Sequence, residues 1–258
     1  IQSQHSSIKS GGILDITAQQ FDAAKSSILA QGEVKISTEK LLNLDGAEVQ
    51  GGSAILLNGN SLSAIGAGLK TNGELSIKSA GDLSMNDSRI AAFGPLTVTA
   101  KDALSMQAAD IRTNGKLGFS AASIAAAQST FHSGEEFSLL TTAGNLKLDG
   151  SKITSGAGVQ LNALGQEISA NNLAIAAKNS ILIDANAGNY IANGSTHRSE
   201  SGGIRVSAHQ IQAAGTATSL TPQGFLANKD IVLNASGLLD VSGSVVSTEK
   251  NILINANE

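Results

Sequence analysis

The chain repeats itself, and that repetition limits its possible folds more than any other feature. Twelve times, mostly at intervals of 20 to 22 residues, a small or turn-forming residue precedes an apolar–polar–apolar triplet. A small or short polar residue then closes the run. Two adjacent copies, GELSIKSAGDLSMNDSRIAAF (73–93) and GPLTVTAKDALSMQAADIRTN (94–114), show the correspondence. Leu75 and Ile77 answer to Leu96 and Val98, Leu83 and Met85 to Leu104 and Met106, and Ile90 to Ile111. A fixed period of this length marks one structural unit stacked on its neighbours.

Within each unit the apolar residues alternate, which is the signature of a strand because successive side chains point to opposite faces. Residues at i and i+2 on a helix would face different directions. The first inward pairs read as Leu14/Ile16, Val34/Ile36, Ala54/Leu56, Leu75/Ile77 and so on to Ile231/Leu233 and Ile252/Ile254. A second strand follows about ten residues later, as at Leu42/Leu44, Leu83/Met85 and Leu146/Leu148. A third apolar position comes about seventeen residues in: Leu29, Val49, Leu69, Ile90 and Ile111. Between them lie corner residues such as TNG (71–73, 113–115) and LDG (44–46, 148–150), which tolerate a left-handed backbone. Asn72 and Asn114 are candidates for short amide ladders between coils.

Three short strands per turn predict an all-β chain folded as a parallel β-helix of about twelve coils, right-handed because parallel crossovers are. Residues 1–11 read as a lead-in and 12–258 as a single solenoid. The spacing loosens between about 189 and 228, through NYIANGSTHRSESGG (189–203) and TATSLTPQGFLANK (216–229). The last unit reaches only its first strand, so that end is expected to be an open edge that stacks on another or frays.

Composition narrows the function. Aromatic residues are 3% of the chain and Trp is absent, which argues against an enzyme pocket built on aromatic surface. The net charge is −4 and no basic run follows a phosphate backbone, so nucleic acid is not an expected partner. No stretch approaches the ~18–20 apolar residues of a membrane span. There is no cysteine, and the N-terminus lacks the shape of a signal peptide.

Candidate chemistry is sparse. His5, His132, His197 and His209 have no metal-ligand spacing. Glu135 and Glu136, adjacent on a strand, point to opposite faces and make a poor acid–base pair. No G-x-S-x-G elbow, phosphate loop or dinucleotide fingerprint is present, so neither catalytic residues nor a cofactor are expected. Met85 and Met106 read as a core stack, and Asn193 as the glycosylation-type motif best placed in a loop. In a solenoid, inserted residues go to loops on one side, often the binding side. The irregular segment therefore offers Tyr190, His197, Arg198 and Phe225 as a partner-binding loop, with a drifted, ligand-free corner as the alternative.

The repeat at 73–114, continued over roughly 12–256, resembles the repeats of filamentous haemagglutinin-type exoproteins of two-partner secretion systems. These are large adhesins, haemolysins and contact-dependent growth-inhibition proteins. The family's NPNL and NPNG secretion motifs are absent, so the likeness is to the interior of the shaft. The resemblance implies a secreted or cell-surface chain, exported unfolded through an outer-membrane β-barrel transporter. It also implies a shaft that presents or binds a receptor or glycan on a host or neighbouring cell and catalyses nothing. The competing readings are a β-helical polysaccharide-degrading enzyme and a cytoplasmic β-helical filament.

Overall fold

The computed structural model of the chain describes residues 1–216 and 222–257. They form a parallel β-helix of about twelve coils, with three strands per coil. Sheet 1 has 12 strands, from Ser7–Ser10 to Val245–Thr248. Sheet 2 also has 12, from Leu14–Ala18 to Ile252–Asn255, and sheet 3 has 11, from Phe21–Asp22 to Leu239–Asp240. Every strand pairs in parallel with the equivalent strands of adjacent coils. Like side chains therefore stack on like: Leu75 on Leu96 and Ile77 on Val98 in sheet 2, Leu83 on Leu104 in sheet 3, Ile90 on Ile111 in sheet 1.

The alternation turns one set of residues into a continuous apolar interior. Val34, Ile36, Leu75, Ile77, Met85 and Met106 are all buried, whereas the intervening Ser76 and Thr97 face outward. Phe119, Phe131 and Phe137, from adjacent coils, fill one level of the core with ring centroids 5.4 to 6.2 Å apart. No coil closes its own hydrogen bonds, so stability resides in the interfaces between neighbours.

Three expectations need correction. In the third coil Ile55 and Leu57 face inward, aligned with Leu75 and Ile77, while Ala54 and Leu56 face outward. The run AILL offers two registers one residue apart, and the one that buries Ile and Leu beats the one that buries Ala and Leu. In the second coil Ile28, aligned with Val49, is buried and Leu29 turns outward, by the same competition between adjacent apolar residues. Residues 1–11 are more than a lead-in: Ser7–Ser10 is already the first strand of sheet 1, and Ile8 packs against the core.

The corner from sheet 3 to sheet 1 carries a left-handed residue in most coils. Gly46, Gly66, Gly150 and Gly194 occupy it, but so do Lys25, Asp87, Ala108, Gln128 and Asn172. The backbone N–H of each points along the rod to a carbonyl of the next coil, as from Gly46 to Ile65 (2.8 Å) and from Ala108 to Ala127 (3.0 Å). That shared bond holds even non-glycine residues in a conformation they disfavour by ~1–2 kcal/mol. Side-chain ladders run through Asp22 and Asn43 (3.1 Å), Asp149 and Asn171 (2.9 Å) and Asn234 and Asn255 (2.8 Å), away from Asn72 and Asn114.

Candidate functional site

The irregular segment places most of its unusual side chains inside the rod. Tyr190 sits on the strand Asn189–Ile191 of sheet 3, in the inward ladder between Ile168 and Ile211. His197 sits on Thr196–Ser199 of sheet 1, between Ile175 and Phe225. All three, Tyr190, His197 and Phe225, are 0% exposed. The partner-binding loop drawn through Tyr190, His197, Arg198 and Phe225 is thus corrected at three of its four positions; only Arg198 projects into solvent. The extra residues do not loosen 189–203, which folds into regular strands. They collect between Gln212 and Gly224, in a corner spanned one coil earlier by residues 192–195. Residues 217–221 of that corner lie outside the described residues.

The three buried rings form a closed cluster. The His197 imidazole stacks on Phe225 with centroids 4.7 Å apart and planes inclined by 19°. It meets Tyr190 edge to face at 5.9 Å. His197 Nδ1 donates to the Gly224 carbonyl (3.2 Å), which leaves Nε2 as the acceptor of the Tyr190 hydroxyl proton. Burial lowers the His197 pKa to about 4, so the ring is neutral at physiological pH. The same burial pushes the Tyr190 phenol above its ordinary value. Both imidazole nitrogens are occupied, so the ring has no free lone pair for a metal or a substrate proton. Its chemistry is that of a cross-brace between sheet 3 and sheet 1.

The other candidates disperse. His132 is exposed on the outward face of sheet 1, and His209 is exposed with Nδ1 3.0 Å from the Ser236 hydroxyl. Among the described residues no three His, Asp or Glu side chains gather. Glu136 forms a surface ion pair with Lys116 at 3.2 Å. Asn193 turns the corner before Thr196–Ser199, and its Oδ1 accepts from the Ala214 backbone (3.0 Å).

Sequence reasoning missed the buried hydroxyls. Ser129, Ser151 and Ser195 lie at equivalent corners and stitch successive coils. Ser129 Oγ accepts from Ala109 N (3.1 Å) and donates to the Met106 carbonyl. Ser195 Oγ accepts from Leu173 N (2.9 Å) and donates to the Ala170 carbonyl (2.5 Å). A second series, Thr113, Ser133, Ser155 and Ser199, binds carbonyls at the corner between sheets 1 and 2. The signal was present as Ser or Thr recurring at the coil period, but it drowns in a chain rich in both residues.

Fold and interior thus define a parallel β-helix with an occupied, solvent-free core. Comparison with protein-family models, with curated proteins and with solved structures gives no match to this chain.

Proposed function

We propose that the chain is a segment of the shaft of a large secreted or cell-surface exoprotein, a rigid spacer that presents or binds partner-cell ligands and catalyses nothing. The observation that carries this reading is the continuous parallel register of the strands from Ser7 to Asn255, which joins successive coils through all three sheets and the last coil through sheets 1 and 2. At about 4.8 Å per strand spacing, such a stack is a rod on the order of 50–55 Å long that transmits position rather than motion. Hydrogen bonds between adjacent coils also suit export, because each coil that folds outside the cell templates its successor and hinders backsliding.

The test is to locate the full-length protein by protease accessibility on intact cells and to measure adhesion of beads coated with this segment. Digestion from outside, with adhesion above that of an uncoated control, supports the reading. A protein found only in the cytosol, or one releasing products from a polysaccharide, overturns it.

A further inference from the structure

Charge is segregated on the rod, and only the strand register reveals it. Six of the chain's 17 Lys and Arg stand on the outward face of sheet 1: Lys9, Lys70, Arg89, Arg112, Lys152 and Arg198, all exposed. Only two of its 21 Asp and Glu, Glu48 and Asp110, share that face. The face therefore carries four net positive charges on a chain whose net charge is −4, and the remainder of the molecule is net −8. Strands as such do not produce this bias. The outward face of sheet 2 is balanced, with Asp15, Glu74 and Asp184 against Lys35, Lys78 and Arg205. Arg112 is held by Asp110 at 2.8 Å, while the other five cations form no ion pair with any described carboxylate.

The cations occupy two adjacent ladders. Arg89 and Lys152 lie in one, and Lys9, Lys70, Arg112 and Arg198 in the other. Strands Ser7–Ser10 and Thr196–Ser199 are the first and tenth of the sheet, so the series runs about 43 Å along the axis. The ladders are two residues apart, about 6.6 Å. Several outward positions between the cations are small, as at Gly68, Ala91, Ala174 and Ala176, while Leu29, Gln50 and His132 stand in the ladder of Lys9, Lys70, Arg112 and Arg198. A shallow depression of about 310 Å³ is lined by Lys70, Arg89 and Arg112 together with the face's two carboxylates, Glu48 and Asp110. The corners that border the stripe are net acidic on both sides: Asp45, Asp87 and Asp149 against Lys25 before its strands, and Glu33, Glu135, Glu136 and Glu200 against Lys116 and Lys178 after them.

We infer that this stripe binds a linear acidic polysaccharide laid along the rod axis, its successive anionic groups meeting successive cations. Width makes the choice. An anionic bilayer or a DNA duplex is broader than the stripe and would meet the flanking carboxylates. Single-stranded nucleic acid is held by aromatic platforms, and no described outward residue of sheet 1 is Phe, Tyr or Trp. A single polymer chain touches the cations and misses both borders. The inference rests on the proposed extracellular role only for where the polymer is met; binding is a property of the purified chain.

The experiment measures binding of the purified chain to dextran sulfate, polygalacturonate and neutral dextran at two salt concentrations. Both acidic polymers are expected to bind, more weakly at higher salt, and neutral dextran not to bind. Replacing Lys70, Arg89, Lys152 and Arg198 by Gln is expected to weaken binding at least about tenfold, with an unchanged melting temperature. Arg89→Gln with Arg198→Gln is expected to weaken it by about threefold. Replacing Lys40, Lys78, Lys101 and Lys147 by Gln removes the same charge from the sides formed by sheets 2 and 3 and is expected to change affinity less than about twofold. Equal losses in the two fourfold variants would overturn the inference, as would tighter binding to phosphatidylglycerol vesicles or duplex DNA than to either acidic polymer. A cytosolic location would sink the shaft reading and leave these measurements standing.

Discussion

The hydroxyl of Tyr190 donates to Nε2 of His197 in the interior of the rod, tying sheet 3 to sheet 1 through a side-chain hydrogen bond inside an otherwise apolar core. Neither group touches solvent, so each depends on the other for its only hydrogen bond at that atom. Removing one partner leaves a buried polar atom unmet, which costs more than the bond itself contributes. Tyr190→Phe is therefore expected to destabilise the fold by about 1–3 kcal/mol. Adding His197→Phe to Tyr190→Phe should cost less than the two single changes summed, because no orphan remains. Urea unfolding of the four proteins of this cycle checks the non-additivity.

Acidification should act through the same ring. His197 has a folded-state pKa of about 4 because burial disfavours the imidazolium. The unfolded chain titrates near ~6.5. Between those values the unfolded state binds more protons than the native state, so stability falls as pH falls through this window. The contribution is fully present above ~6.5 and is lost by about pH 4, a difference of roughly 3 kcal/mol. Unfolding free energies at several pH values should show this slope in the parent and a flatter one in His197→Phe.

Inward and outward positions should respond very differently to the same charge. Ile77 is 0% exposed and lies between Leu57 and Val98 in the stack, whereas Thr97, on the adjacent strand, is exposed. Ile77→Asp is expected to unfold several coils, since an unpaired buried charge costs several kcal/mol. Thr97→Asp is expected to cost less than about 0.5 kcal/mol. Circular dichroism melts of the two variants test the register; equal tolerance would refute it.

The left-handed corners offer a stabilising change. Ala108 has φ 53°, which glycine adopts without penalty. Ala108→Gly should therefore gain about 0.5–1 kcal/mol, and Gly66→Ala should lose a similar amount. At Gly66 an added methyl group meets nothing within 4 Å, so the loss there is purely conformational. Thermal melts showing shifts of opposite sign would establish the effect.

The stitching hydroxyls predict local weakness when lost. Ser129→Ala would leave the Met106 carbonyl and the Ala109 N–H without their side-chain partner in a buried corner. A cost of about 1–3 kcal/mol is expected, with faster amide exchange confined to the coils on either side. Exchange spread evenly along the rod would mean that the hydroxyl is not a local tie.

Read alone, the chain determined the architecture. The coil period, the two-residue alternation and the Gly, Asn and Asp corners all reappear in the structure, because each is a local rule repeated until neighbours must stack. Where two apolar residues stood side by side, at Ile28 and Leu29 or across Ala54–Leu57, periodicity could not choose the face, and the cross-coil register chose it. The irregular segment was misread for the same reason. An insertion is visible as a spacing, but which side chains leave the core depends on the corner that absorbs it. Tertiary structure alone placed Tyr190, His197 and Phe225 in one closed cluster and lined six cations along one face, since the first depends on which side chains turn inward across a corner and on the next coil, and the second joins residues a coil or more apart. Distance along the chain carries no information about proximity until the windings are stacked.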